Sequence, residues 1–167
     1  MSLEFFDFRT RKKTKIDFLW MADRLVLVVP IAGALIRIGN FFNSEIIGKP
    51  TVSDVPWAIV FEKANLNPHE LNLLPRHPAQ LYEALGYIIL FIILWAVYEK
   101  NKNPKPGLLF GVFLICLFTI RFIIEFYKEN QVDFENTMAF NMGQLLSIPF
   151  ILVGFFLIFR KTSVKAK

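Results

Sequence analysis

The chain has 167 residues, of which 54% are hydrophobic and 16% aromatic, with a single cysteine and a net charge of +5. This composition excludes an intrinsically disordered protein, and the lone cysteine excludes a small secreted domain held together by disulfides. Because the apolar residues are gathered into long runs without charge, we expect an integral membrane protein.

Four segments are apolar over the length of about 20 residues that a helix needs to cross a hydrocarbon core. Their residues do not alternate between apolar and polar, which argues against a β-barrel. The sequence therefore predicts an all-α membrane protein with four transmembrane helices in a single membrane domain, residues 1–167. The predicted spans are 24–43, 79–98, 107–126 and 142–159.

The first span also has the features of a cleavable secretory signal, since a basic stretch precedes the apolar segment Leu25–Ile36. That basic leader is too long for such a signal. In addition, Arg37 follows the apolar segment without a typical cleavage motif. We therefore favour a span that the protein retains.

The positions of Lys and Arg predict the direction of the spans, because short basic loops stay on the cytoplasmic side. Twelve of the 19 basic residues fall in the N-terminal tail, in the loop between spans two and three, or at the C-terminus. Four fall on the opposite side: Lys49, Lys63, Arg76 and Lys128. Both termini are therefore predicted to be cytoplasmic.

A segment of about 35 residues, 44–78, connects the first two spans and contains five prolines. Loops of this length are commonly functional or disordered. The stretch Trp57–Phe61 within it is rich in residues that favour β-structure and predicts a short strand. We expect a small folded cap on the periplasmic face.

Four polar residues lie at a similar depth in the predicted bundle. Arg37, Glu83, Arg121 and Gln144 are each 13 to 15 residues from the cytoplasmic end of their span, which at 1.5 Å per residue is roughly 20 to 22 Å. The positive ends of the helix dipoles of spans two and four lie on the same side. Because arginine pairs with phosphate through two hydrogen bonds, this layer predicts binding of a phospholipid head group.

Each of these residues has a simpler interpretation as well. Arg37 could anchor its span at the interface, Arg121 and Glu125 could form an ion pair within one helix, and Glu83 could brace either arginine. His77 fits a helix start or a head-group contact better than a catalytic base. The two histidines of the chain do not support a metal site.

Residues 37–45, with the sequence Arg-Ile-Gly-Asn-Phe-Phe-Asn-Ser-Glu, resemble the signature segment of the prolipoprotein diacylglyceryl transferase family. The resemblance extends from about residue 16 to residue 159. Further stretches are similar to that family in the same order: 48–51, 56–61, 76–83, 121–126 and 142–149.

The resemblance implies a multi-pass enzyme of the bacterial cytoplasmic (inner) membrane. It would transfer a diacylglyceryl group from phosphatidylglycerol to the lipobox cysteine of a prolipoprotein, the first step of lipoprotein maturation. Its expected partners are phosphatidylglycerol, the signal-peptide region of the prolipoprotein and membrane lipid, with no nucleic acid, cofactor or metal. We predict catalytic roles for Arg121 and Glu125, and substrate binding by Arg37, Asn40, Glu45, His77, Gln80 and Glu83.

The chain also departs from the family pattern. Ile36 stands where the family usually has glycine, and Lys49 where arginine is common. The family's His-Gly-Gly stretch, whose histidine is regarded as essential, does not occur, so the general base is not identified. The sequence looks like the C-terminal portion of the enzyme, which would make an N-terminal half a further partner. A fragment, a split subunit and a degenerate relative all remain open.

Two other functions fit part of this pattern. A non-enzymatic subunit that binds or translocates anionic phospholipid would explain the arginines equally well, but it gives no reason for the long signature. A purely structural bundle would predict that lysine can replace Arg37 and Arg121.

Overall fold

The computed structural model describes residues 2–7, 12–51, 55–61, 64, 74–101, 104–128 and 140–161. Within these residues the chain forms a hairpin, five helices and one 3-10 turn. In chain order they are β1 (Ser2–Asp7), β2 (Lys12–Asp17), α1 (Phe18–Leu25), α2 (Val29–Phe42), α3 (Ala79–Lys100), α4 (Leu108–Ile124), the 3-10 turn (Glu125–Tyr127) and α5 (Met142–Phe159).

Three of the described helical segments are long and apolar enough to cross a membrane: α3, α4 with its 3-10 turn, and α5. A fourth candidate span results if α1 and α2 are counted together, since these two helices are separated by a short break and bent by 43°. The described part of the chain therefore holds three or four candidate membrane helices, as expected for a helical membrane protein.

The first span differs from the single helix predicted at 24–43. The structure has two helices here, with the break at residues 26–28. Pro30 explains the break, because it lies in the first turn of α2, where a proline without an N–H is tolerated. In a continuous helix the same ring would clash with the carbonyl of Val26.

The N-terminal hairpin was not predicted, and it adds two strands to a chain whose other described elements are helical. Strands β1 and β2 pair antiparallel, with Ser2 opposite Asp17 and Asp7 opposite Lys12. In β2 the β-branched residues Thr14 and Ile16 alternate with charged ones, and β1 contains Phe5 and Phe6, residue types that favour β-structure. This segment contributed only its charge to the prediction of the spans.

The helix bundle has two opposite ends. The cap end is formed by the C-terminal ends of α2 and α4 and the N-terminal ends of α3 and α5, and the other end is called the tail end. Helix α4 packs most extensively against α5, and α2 against α3, while α3 and α4 join the two pairs. The largest buried cluster lies between these helices and includes Leu90, Leu94, Leu109, Phe113 and Leu157.

Glycines allow α4 and α5 to approach each other closely. A Cβ atom added to Gly154 would lie 2.8 Å from the carbonyl oxygen of Gly111 and 2.7 Å from Cγ1 of Ile115. A Cβ atom added to Gly111 would lie 2.9 Å from the carbonyl oxygen of Gly154. Small residues of this kind are what membrane helices use to bring their backbones together.

We predict that Gly154→Ala destabilises the bundle by about 1–3 kcal/mol, because the added methyl group meets backbone that cannot move without separating α4 from α5. Gly39→Ala is the matched control, since a Cβ atom at Gly39 has nothing within 4 Å. Thermal unfolding of both variants in detergent measures the difference. Equal stability of the two variants would show that the α4–α5 contact is looser than described.

At the tail end, a buried carboxylate fixes α1 to the start of α4. The Asp23 carboxylate accepts hydrogen bonds from the backbone N–H groups of Gly107, at 2.7 Å, and Phe110, at 2.8 Å. Gly107 has a φ of +92°, a left-handed conformation that glycine adopts without strain, and it forms the N-cap of α4. Asp23 therefore satisfies N–H groups that the first turn of α4 leaves unpaired.

We expect Asp23→Ala to destabilise the protein by about 1–3 kcal/mol, because it removes a cap and leaves buried N–H groups unpaired. Asp17 provides a comparison, since it caps α1 through one exposed contact of 3.4 Å to the Leu19 N–H. Asp17→Ala should cost less than about 1 kcal/mol. If Asp17→Ala lowers the unfolding temperature more than Asp23→Ala does, the capping role assigned to Asp23 is contradicted.

Candidate functional site

The described part of the segment between α2 and α3 folds over the cap end. Its backbone forms isolated antiparallel bridges that join Gly48 to Lys128 and Arg76 to both Pro50 and Ile59. The strand predicted at Trp57–Phe61 is not formed; only Ile59 in this stretch makes a bridge. Pro56 directly precedes this stretch and Pro75 directly precedes its partner Arg76, and neither proline has the N–H that a longer ladder requires.

Four charged side chains at the cap end form one series of ion pairs. Nε of Arg37, on α2, lies 2.5 Å from Oε2 of Glu83, on α3. Nζ of Lys128 lies 2.9 Å from Oε1 of the same carboxylate and 3.8 Å from Oε2 of Glu125. Glu83 and Lys128 are 1% and 5% exposed, so both pairs to Glu83 are buried. Arg37, Glu83, Lys128 and Glu125 are called the charge cluster below.

Arg121 lies near the charge cluster without joining it. The charges of Arg37 and Arg121 both act on the hydroxyl group of Tyr87, and the Arg37 side chain lies beside that hydroxyl. The ion pair considered between Arg121 and Glu125 is not among the ion pairs of the described residues, since Glu125 pairs with Lys128 instead. The two arginines therefore face a common neighbour, Tyr87.

The Glu125 carboxylate lies at the start of α5. A Cβ atom added to Gly143 would be 2.9 Å from Cδ of Glu125, so the carboxyl group rests directly on the backbone of the first turn. A negative charge is stabilised there by the helix dipole. The positive end of α5, predicted to attract a ligand anion, is thus already balanced by a carboxylate of the protein.

Gln144 has a structural role in the same turn. Its side chain accepts a hydrogen bond from the Asn141 N–H at 3.2 Å, as part of a capping box in which Asn141 is the N-cap. Its amide also lies 3.4 Å from the carbonyl oxygen of Phe122, on α4. The depth that Gln144 shares with the charged residues therefore reflects helix capping.

The predicted residues Asn40, Glu45 and Gln80 are connected mainly through backbone groups. The amide of Gln80 donates to the carbonyl oxygen of Glu45 at 2.7 Å, and the Glu45 N–H donates to the carbonyl oxygen of Asn40 at 2.9 Å. Gln80 is 1% exposed. Glu45 is exposed and takes part in none of the ion pairs of the described residues. The signature segment is thus fixed to the start of α3, with the Glu45 carboxylate outside the charge cluster.

His77 belongs to an aromatic group beside the charge cluster. Nε1 of Trp57 donates to the Tyr82 hydroxyl at 2.8 Å, and that hydroxyl lies 3.1 Å from Nδ1 of His77. The His77 ring packs edge-on against Tyr127, with centroids 5.4 Å apart. Trp57, Tyr82 and His77 therefore form a connected polar network, against which Tyr127 packs.

This aromatic group lies at the mouth of an apolar groove between α3 and α4. The groove has a volume of about 450 Å³. Gly86 forms part of its wall, where a Cβ atom would come within 2.7 Å of the Ile120 side chain. The other aliphatic residues along the groove are Leu85, Ile89, Ile123 and Ile124. The groove is thus polar at one end and aliphatic along its length.

Two members of the site, Tyr87 and Lys128, were not predicted from the sequence. Tyr87 follows Glu83 by four residues, so both occupy one face of α3, and this spacing was available in the sequence. Lys128 follows Glu125 by three residues, but it was counted only as a basic residue of an outer loop. Its burial depends on the 3-10 turn and on the bridge to Gly48, which local spacing does not reveal.

The charges of the site can be added up. Arg37 and Lys128 balance Glu83 and Glu125, so the charge cluster is neutral. Arg121 contributes one further positive charge, which no ion pair between described residues compensates. Among those residues, no group of three His, Cys, Asp or Glu side chains is placed to hold a metal ion. The ion pairs of the described residues therefore leave Arg121 as a positive charge beside a neutral cluster, where it can attract an anion.

The fold and the site define a helical membrane protein with a buried ionic cluster at one end of its bundle. Residues 5–160 match the family model of prolipoprotein diacylglyceryl transferase, and the chain belongs to this family. No solved structure shows a significant match to the chain.

Curated relatives carry the same family description. The phosphatidylglycerol–prolipoprotein diacylglyceryl transferase of Bacteroides fragilis is 48% identical over 158 residues, which cover 92% of this chain and 54% of that protein. The transferase of the same description from Tolumonas auensis is 42% identical over 157 residues, covering 94% of this chain and 57% of that protein. The chain thus spans about half the length of the relatives that it matches.

Lys128→Met should destabilise the protein by about 3 kcal/mol, since it removes one partner of a buried ion pair. Glu83 retains Arg37, so the cost lies at the lower end of the range for such a change. Lys49→Met is the control, because Lys49 is exposed on the neighbouring cap segment. Thermal unfolding in detergent compares them, and a Lys128 variant as stable as the Lys49 variant would show that the ion pair contributes little.

Proposed function

We propose that this chain forms the phospholipid-binding part of a phosphatidylglycerol–prolipoprotein diacylglyceryl transferase, in which Arg37 and Arg121 bind the head-group phosphate. The observation that carries the proposal is the charge balance of the site: none of the ion pairs between described residues includes Arg121, which lies beside a neutral cluster. A phosphodiester has one negative charge and matches this arrangement. Arginine also presents a planar fork of donors that fits two phosphate oxygens.

The reaction transfers a diacylglyceryl group to a cysteine thiol. The thiol sulfur forms a bond to the terminal glyceryl carbon as the bond from that carbon to the phosphate oxygen breaks. The thiol proton passes to a base, and glycerol 1-phosphate leaves. Because a phosphodiester becomes a phosphomonoester, negative charge grows on the phosphate in the transition state. Fixed positive charges at that position lower the barrier, and groups of this kind contribute several kcal/mol in other enzymes.

The two arginines would act together on this growing charge. Arg121 is partly exposed and free of ion pairs with described residues, so it can approach a phosphate without first losing a partner. Arg37 is already oriented by Glu83 and Tyr87. Their field would also favour the thiolate form of a cysteine brought close to the lipid.

The remaining predicted residues have supporting roles in this proposal. Asn40, Glu45 and Gln80 hold the signature segment against α3, which keeps Arg37 at the site. His77 lies at the polar mouth of the groove, where it can contact a head group or a glyceryl ester. Glu125, at the start of α5, acts on the reaction through Lys128 and the local field.

The lipid's acyl chains would lie along apolar helix surfaces, and the groove between α3 and α4 offers one such surface. Fixing lipid and peptide in one orientation removes much of the entropic barrier of a reaction between two molecules. We further propose that the chain is a multi-pass protein of the bacterial inner membrane with both termini in the cytoplasm. The cap end and the segment above it would then face the periplasm, where the prolipoprotein signal-peptide region arrives.

We expect binding of phosphatidylglycerol to depend on both arginines. In nanodiscs, Arg121→Gln should weaken binding of phosphatidylglycerol about tenfold relative to phosphatidylcholine, and Arg37→Gln with Arg121→Gln should abolish the preference, since each loses a charge-assisted hydrogen bond. Arg24→Gln should retain it, because Arg24 stacks on Trp20 in α1, 3.9 Å from the ring centre. A preference for phosphatidylglycerol that survives in the double variant would refute phosphate binding here.

Transfer itself is tested with labelled phosphatidylglycerol and a lipobox peptide. The described residues offer no assigned general base, and the chain spans about half of its relatives, so we expect little transfer by the chain alone. Adding the N-terminal half of a relative should restore the mass increase on the peptide cysteine. Movement of lipid between leaflets without any mass increase would support a lipid-handling subunit instead of a transferase.

A further inference from the structure

We propose that Glu83 is a positioning residue, which sets the direction of the Arg37 guanidinium toward the lipid phosphate and does not contact the lipid itself. The inference rests on the proposed function. It changes the role predicted for Glu83 from substrate binding to control of another residue. The geometry of the charge cluster points to this role.

Glu83 contacts one edge of the Arg37 guanidinium group, the edge that contains Nε. Oε2 of Glu83 contacts Nε of Arg37 at 2.5 Å, which is an ion pair without an aligned hydrogen bond. None of the ion pairs of the described residues uses the two terminal nitrogens of Arg37. A guanidinium held at Nε presents its outer pair of nitrogens as a fork, and that fork matches two oxygens of a phosphate.

The Glu83 carboxylate is itself held by a cation at each of its two oxygens. Its other oxygen, Oε1, contacts Nζ of Lys128 at 2.9 Å, and the residue is 1% exposed. The carboxylate is thus fixed between cations from two different parts of the chain. One turn further along α3, Tyr87 also contacts Arg37. Glu83 and Tyr87 together hold Arg37 from a single rigid helix face.

The negative charge of Glu83 allows a positioning role to be distinguished from a purely electrostatic one. A carboxylate beside an anion site repels the anion, so simple electrostatics predicts tighter phosphatidylglycerol binding when Glu83 is neutralised. A positioning role predicts weaker binding, because Arg37 then loses its fixed direction. The two interpretations therefore predict changes of opposite sign for the same substitution.

The test uses Glu83→Gln in nanodiscs containing phosphatidylglycerol, with diacylglycerol as the phosphate-free comparison. We expect phosphatidylglycerol binding to weaken about tenfold, since small misplacements of a positioning group have large effects. Diacylglycerol binding should not change, whereas a general loss of structure would weaken both. Glu99→Gln is the charge-matched control, because it removes one exposed carboxylate from the tail end of α3, away from the charge cluster, and it should leave phosphatidylglycerol binding unchanged.

Tyr87→Phe provides a second variant that keeps every charge, in case the Glu83 variant does not fold. It removes the hydroxyl group beside Arg37, so it should weaken phosphatidylglycerol binding about threefold, the size expected for one polar contact, and leave diacylglycerol binding unchanged. Tighter or unchanged phosphatidylglycerol binding by folded Glu83→Gln overturns the inference. If that variant does not fold, unchanged binding by Tyr87→Phe overturns it.

Failure of the proposed function gives a different result. In that case the unaltered protein shows no arginine-dependent preference for phosphatidylglycerol at all, and the inference fails with it. If the preference exists and depends on Arg37 and Arg121, while Glu83→Gln increases it, only the positioning role is refuted.

Discussion

The structure at the cap end depends on one buried carboxylate, that of Glu83, which pairs with Arg37 and with Lys128. A charge without water is costly unless it is paired, so the three side chains stabilise the bundle only when all are in place. They come from α2, from α3 and from the chain that follows α4. Their pairing therefore fixes the relative positions of these segments. Asp23 has the corresponding role at the tail end, where it joins α1 to α4.

This arrangement separates the charges that hold the fold from the charge available to a ligand. Within the described residues, Glu83 and Glu125 compensate Arg37 and Lys128, while Arg121 keeps its charge uncompensated. A site of this kind stays folded without lipid and still attracts one negative charge. The Glu125 carboxylate, from the 3-10 turn after α4, rests against the first turn of α5 and is stabilised there by the positive end of that helix.

The sequence was sufficient for features that depend on apolar length and on spacing along a helix. The candidate membrane helices and the shared depth of Arg37 and Glu83 follow from such counting. It was insufficient where neighbours distant in sequence decide the outcome. The burial of Lys128 depends on a backbone bridge to Gly48, and the direction of Glu125 depends on close contact with Gly143. The bend before α2 could have been predicted from Pro30. The apolar run continues through this position, however, and favoured the prediction of one continuous helix.

The distance between arginine nitrogen and lipid phosphorus tests the central claim most directly. Solid-state NMR with arginine labelled by ¹⁵N and with phosphatidylglycerol as the only phosphorus source measures such distances by dipolar recoupling. We predict guanidinium nitrogens within about 4 Å of phosphorus, as in a direct hydrogen bond, and loss of this signal when both Arg37 and Arg121 are replaced. A signal that persists in the double variant, or none in the unaltered protein, would contradict the account.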